Sequence, residues 1–170
     1  MTNSAIPIQS FEYNGLFQSL KPSIVSMNLL EIQARAEVPE IKPDQIAVQS
    51  EYNIRMGFLN EAKTAFQAMS QLTVTFREKV TDDVVGRISI ELAAQYTTQQ
   101  PANDEFLKLF THQNVPLNAW PYLRELVHNT MLRFGWVPLV LPPLFVMPQE
   151  ETAKSSKPRS KKTKALEQPK

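Results

Sequence analysis

The chain has 170 residues, 42% of them hydrophobic, and a formal net charge of +1, which is enough for one domain with a core of its own. It contains no cysteine. That excludes a disulfide framework, a thiolate nucleophile and any cysteine-ligated zinc or iron–sulfur site, and it agrees with a reducing, cytoplasmic setting.

Charge is divided along the chain. Up to Pro148 there are eleven basic and fourteen acidic residues, and from Gln149 onward seven basic and three acidic. This reads as a mildly acidic folded part with a basic appendage, and not as a nucleic-acid-binding surface. Residues 1–21 have no basic start followed by an apolar core, so no secretory signal is expected. They read as irregular, with Phe11, Tyr13, Leu16 and Phe17 available to pack on a neighbour.

The domain is expected over 22–148, and four strand-like segments open it. The first runs from Ile24 to Glu37. Leu30, Ile32, Ala34 and Ala36 share one face, whereas Val25, Met27 and Leu29 point the other way. A bulge near Leu29–Leu30, or burial on both faces, accounts for the break. Pro39 and Pro43 end the strand. In the second segment Ile46, Val48, Tyr52, Ile54 and Met56 alternate with Gln49, Glu51, Asn53 and Arg55. The third sets Phe66, Ala68, Leu72, Val74 and Phe76 against Gln67, Gln71, Thr73, Thr75 and Arg77. The fourth sets Val84, Ile88, Ile90, Leu92 and Tyr96 against Arg87, Ser89, Glu91 and Gln95. Period-two alternation gives each strand an apolar and a polar face. Short connections favour antiparallel neighbours, hence one sheet with a dry side and a wet side.

The apolar residues left to cover the dry side are C-terminal. A short helix is expected after Pro101, capped by Asn103, with Phe106, Leu109 and Phe110 as its stripe. Pro116 separates it from a longer helix that Asn118 can cap and Gly135 can end, with Pro121 in the first turn. Along that helix Trp120, Leu123, Leu126, Val127, Met131 and Phe134 fall on one side at 100° per residue. Tyr122 and Leu132 fall among the polar residues opposite, so the helix is expected to lie between its own sheet and another subunit. These interface candidates are Trp120, Tyr122, Leu123, Leu126, Val127, Met131 and Phe134. The apolar stretch Val137–Pro148 is interrupted by four prolines and is too short to span a bilayer. The lysine-rich residues 149–170 are expected to be disordered.

Chemistry is sparse. Four glycines, none close to another, make no phosphate-cradling loop. His112 and His128 read as helix-surface residues, and no acid–histidine spacing marks a metal site. Asp82–Asp83 reads as turn chemistry. No catalytic residue, cofactor or metal site is expected, so the chain is not read as an enzyme.

Asn114 to Leu144, NVPLNAWPYLRELVHNTMLRFGWVPLVLPPL, resembles the signature region of the SecB family. The carriers are Trp120-Pro121-Tyr122-Leu123-Arg124-Glu125 and, after the glycine stop, Pro138-Leu139-Val140-Leu141-Pro142-Pro143. The resemblance implies an α+β fold, a four-stranded antiparallel sheet with C-terminal helices packed on one face. It implies a homotetramer built as a dimer of dimers. It also implies an ATP-independent holding chaperone for unfolded or nascent clients, serving protein export or a dedicated client such as the antitoxin of a toxin–antitoxin system.

Two features depart from the family. The Pro-Pro run passes through Leu144-Phe145-Val146-Met147-Pro148 straight into the basic tail, where export members continue with a second helix. Export members also dock the SecA motor through acidic residues on the open sheet face. Here Glu31, Glu37, Glu51 and Glu91 are the candidates, with Arg35 intruding. The rival reading is a non-catalytic adaptor that binds one folded partner through that polar face. The client groove is expected between the helices and the sheet edge, lined by Phe58, Phe66, Trp136, Leu139, Leu141, Leu144 and Phe145. The prolines hold Trp136–Phe145 extended and leave its large side chains open.

Overall fold

Four antiparallel strands of 13 or 14 residues form one sheet: β1 (Ser23–Ala36), β2 (Ile46–Phe58), β3 (Ala65–Glu78) and β4 (Val84–Thr97). Helices α2 (Asp104–Gln113) and α3 (Val115–Arg133) follow. The structure, a computed structural model, describes residues 10–142, all within one compact unit, Ile8–Met147. Leu144, Phe145 and the basic tail lie outside the described residues. The expected architecture is present.

The strand order is β1-β4-β3-β2. β2, β3 and β4 are hairpin-linked, while β1 pairs with β4 and not with β2. Short connections led us to expect sequential neighbours throughout. Instead residues 37–45, which include a 3-10 turn at Pro43–Gln45, carry the chain from one edge of the sheet to the other. This is Greek-key topology, in which a long connection returns one strand beside the far end of a meander. Ile41 is buried along that path, which anchors the crossover to the core.

Pairing on β1 shifts between Ile24 and Ser26 and again between Leu29 and Glu31. The second bulge therefore falls on Leu30. It brings Met27 and Leu29 onto the face of Ile32, Ala34 and Ala36, opposite Ala94, Leu92, Ile90, Ile88 and Gly86. The broken alternation in the sequence is thus one face interrupted by an extra residue.

Two clusters fill the dry side. One joins Leu72, Val74, Phe76, Ile88 and Ile90 to Trp120, Leu123, Val127 and Met131 of α3. The other joins Phe66, Ala68, Ala94 and Tyr96 to Phe106, Leu109 and Phe110 of α2. A further helix, α1 (Ser10–Leu20), closes the second cluster where an irregular segment was expected. Its pattern is weak because only one flank is used. Tyr13 stacks on Phe106 and Phe17 on Phe110, at centroid separations of 6.2 and 6.4 Å. Tertiary docking, more than propensity, holds it helical.

Asn103 caps α2, its side chain accepting from the Phe106 amide at 2.7 Å. α3 starts four residues earlier than expected. Pro116 occupies its first turn, where the missing N–H costs nothing. Asn118 donates to the Tyr96 hydroxyl at 3.3 Å instead of capping. Pro121 consequently lies inside the helix, and the Leu117 carbonyl it leaves unpaired belongs to a solvent-exposed residue. At the other end Gly135 takes φ +78°, with Gly135 N–H bonded to Leu132 O and Trp136 N–H to Met131 O, both at 3.0 Å. These paired bonds are a Schellman stop.

Tyr13, Tyr52 and Tyr96 are packed in this core, and burial raises the pKa of each phenol above its usual value of 10.0. For Tyr52 and Tyr96, burial outweighs the hydrogen bonds with Ser70 and Asn118. The fold therefore favours the neutral phenols. Their contribution is complete below the unfolded-state pKa of ~10 and is lost as pH rises through the folded-state values. The urea midpoint is expected to fall steeply above pH ~10, and less steeply in Tyr96→Phe. An unchanged midpoint at pH 11 contradicts this.

Candidate functional site

Beyond Gly135 the chain runs back along α3 as a strap with no regular secondary structure. The Leu139 amide faces Met131 Sδ at 3.3 Å, and Trp120 Nε1 donates to Pro142 O at 3.0 Å. Trp120 also meets Tyr52 of β2 edge-on, with centroids 5.9 Å apart. Trp120 and the Pro142 end of the strap therefore lie toward β2.

Helices and strap do not cover the whole dry side. On β2 the dry-face residues Tyr52, Ile54, Met56 and Phe58 are half-buried. On α3 Leu117, three residues before Trp120, is 55% exposed. On the other edge Ile24 and Leu29, with the bulge residues Val25 and Leu30, are about half exposed. The sheet presents two apolar margins, one on each side of the helices.

The expected groove residues do not form one open surface. Phe66 is 0% exposed, stacked on Tyr96 at 5.2 Å and edge-on to Phe110 at 5.4 Å. Trp136 is 2% exposed, set against Phe76 and Phe134, with its ring N–H donating to Val38 O at 3.2 Å. Leu141 is buried as well. Proline does hold the strap out of a helix, but the side chains of Trp136 and Leu141 turn inward where open ones were expected. Phe58 is the last residue of β2; it pairs with Phe66, and Lys63 Nζ lies 5.1 Å from its ring. Phe58 and Leu139 are half-buried, in different clusters. The half-buried β2 row was legible only as a strand face, because alternation does not say how far the helices reach.

The expected interface set divides in the same way. Trp120, Leu123, Val127 and Met131 pack on the chain's own sheet. Leu126 and Phe134 are partly buried, and Tyr122 is exposed together with Leu117 and Leu132.

The wet face carries the acidic candidates. Glu31 and Glu91 are cross-strand partners, and Glu51 sits on β2 opposite Thr73. Arg55 bonds Glu91 at 2.5 Å across β3. Arg35 bonds Glu37, which lies beyond the end of β1, at 2.7 Å and pairs with Arg87 in register. The four carboxylates are thus interleaved with arginines and do not form a bare acidic field.

An open cleft of about 300 Å³ lies between α3 and the strap, with Arg124, Glu125 and His128 on one wall and Leu139 and Val140 on the other. Among the described residues no group of three or more His, Asp or Glu is placed to hold a metal ion, and no buried side-chain polar atom lacks a partner. Among them, too, no helix is long and apolar enough to cross a membrane.

No family model matches the chain, and no curated protein matches it in sequence. Among solved structures it is similar to the SecB-like chaperone Rv1957 of Mycobacterium tuberculosis, in complex with a ChAD peptide from the Rv1956 HigA1 antitoxin. The TM-score is 0.70 at 20% identity, over 79% of this chain and 97% of that one. A protein of unknown function from Streptococcus agalactiae aligns at a TM-score of 0.44 and 11% identity, over 72% of this chain and 98% of that one. Strand number, antiparallel pairing and helices on one face, together with the first of these likenesses, give the chain the fold of a SecB-like chaperone.

Proposed function

We propose that the protein is an ATP-independent holding chaperone that binds unfolded or nascent polypeptide. The observation that carries this reading is a dry sheet face wider than the helices that cover it. Half-buried Tyr52, Ile54, Met56 and Phe58 run along β2, with Tyr52 against Trp120 of α3 and Met56 against Thr111 of α2. An extended apolar segment fits such a margin, with alternate side chains set over the row. The solved SecB-like relative holds a peptide of an antitoxin, which supports a dedicated client of that kind ahead of export service. Interleaved arginines on the wet face weigh against both SecA docking and the adaptor reading.

Assembly belongs to the same proposal. The margin on β1, with Ile24, Val25, Leu29 and Leu30, and the outer residues Tyr122 and Leu132 of α3 are where a second copy would pack, and a dimer of dimers would use both. A cytoplasmic location is part of the reading.

The test is an aggregation assay without nucleotide. Substoichiometric to equimolar protein should suppress aggregation of several unrelated unfolded proteins. Ile54→Glu with Met56→Glu should lose most of that suppression while retaining the far-UV CD spectrum. A protein that leaves every client to aggregate, yet binds one folded partner through Glu31 and Glu51, is an adaptor.

A further inference from the structure

Helix α1 is weakly built for an element that closes a core. It has 11 residues, too few for a stable helix alone in water. Gly15 lies at its middle, and a Cβ placed there meets nothing within 4 Å. No close approach therefore requires glycine, which lowers the helix population roughly 2–5-fold against alanine. Lys21 joins α1 to β1 at φ +45°, a left-handed conformation that a lysine leaves once nothing holds it. Its amide donates to Phe17 O at 2.9 Å, and Gln99 N–H donates to Leu20 O at 2.9 Å.

The surface beneath α1 is aromatic. Phe106 and Phe110, four apart on α2, pack edge-on to Phe66 of the sheet at 6.3 and 5.4 Å. Tyr13 and Phe17, also four apart, stack on them at interplanar angles of 16° and 13°. The Tyr13 hydroxyl donates to Asn114 Oδ1. Residues four apart share a helix face, so the two helices match ring to ring. With α1 lifted, Phe106 and Phe110 offer two stacking surfaces, with the Asn114 amide as a polar marker beside them.

We propose that α1 is the resident ligand of a second client site on α2, and that a client helix carrying two aromatic side chains four residues apart takes its place. The chemistry of the occupant is read from α1 itself; a client as its source rests on the chaperone reading above. Tethering gives α1 an effective concentration of order millimolar. The site is therefore closed until a matching segment competes, and apparent client affinity falls with the fraction open.

The experiment uses the full chain and, as probe, a fluorescent peptide of the Ser10–Leu20 sequence carrying Gly15→Ala. Tyr13→Ala with Phe17→Ala in the protein removes two ring pairs and should tighten probe binding at least ~5-fold. Gly15→Ala in the protein, which leaves the site untouched and strengthens α1, should weaken it roughly 2–5-fold. Reduced and alkylated lactalbumin, a permanently unfolded protein, should displace the probe. Equal probe affinity for the parent and both variants overturns the proposal, as does equal binding of a probe in which alanine replaces both aromatic residues. Probe that stays bound while the protein holds lactalbumin places clients elsewhere and overturns the client assignment. Affinities in the expected order, with no unfolded protein held by any variant, support the gated site and sink the chaperone reading. A double variant that takes up parent protein in place of probe makes the site an exchange contact between copies, which also overturns the client assignment.

Discussion

Trp136→Ala is expected to destabilise the protein by about 3–5 kcal/mol, the usual cost of truncating a fully buried Trp or Phe. A domain of this size holds only ~5–15 kcal/mol in all, so much of the population should unfold under mild urea. Each of its contacts is specific. The indole lies against Phe76 and Phe134 at centroid distances of 5.3 and 5.1 Å. Its N–H satisfies the Val38 carbonyl on the crossover. It also fills the space above Gly86, where a Cβ would overlap the six-membered ring. The same residue closes the Schellman stop through its amide. Gly86→Ala should therefore injure the fold from the other side of the contact, and Trp136→Phe should recover part of the loss. Urea unfolding followed by far-UV CD reads all three. If Trp136 lined an open groove, as the sequence suggests, truncation would change stability by no more than ~0.5 kcal/mol.

Leu29→Asp with Leu30→Asp is expected to turn the proposed oligomer into monomer at micromolar concentration. The two leucines are 48% and 50% exposed on a strand that has no neighbour on its outer edge among the described residues. Burying one large aliphatic side chain contributes about 1.5–3 kcal/mol. A two-fold contact uses the same patch twice, and each leucine is already half covered, so the pair of changes removes roughly 3–6 kcal/mol before any cost of burying carboxylate. At ~1.4 kcal/mol per decade that weakens association by at least ~10²-fold. Val80→Asp is the control: Val80 is 89% exposed in the β3–β4 turn, away from both margins. Light scattering should give an oligomer for the parent and the control and a monomer for the double variant, with CD unchanged. A parent that is monomeric removes the assembly proposal.

Local patterns carried the elements and failed on their arrangement. Period-two alternation on β2, β3 and β4, the broken period at Leu29–Leu30, the Asn103 cap and the Gly135 stop are all set by neighbours in sequence, and each is found. α1 was illegible because its helix is held by Phe106 and Phe110, about ninety residues away. Strand order was illegible because a nine-residue connection can close a hairpin or cross the sheet. The candidate site suffered from the same gap. Alternation places Phe66 and Tyr52 on one face, but only the packed helices decide that Phe66 is sealed beneath α2 while Tyr52 remains at the margin. Proline in the strap was correctly read as preventing a helix. It carried no information on which way Trp136 would turn.

The placement of β1 beside β4 also sets the order in which the chain can fold. Its pairs run from Ala36 with Gly86, fifty positions apart, to Ser23 with Thr97, seventy-four apart. Such contacts form late, since distant segments must be brought together before any pairing rewards them. During synthesis at ~5–20 residues per second, β1 leaves the ribosome several seconds before its partner exists. Over that interval Ile24, Val25, Leu29 and Leu30 have no sheet to join. A newborn copy of this protein therefore displays, for a few seconds, the kind of unpaired apolar strand that its finished form is proposed to hold.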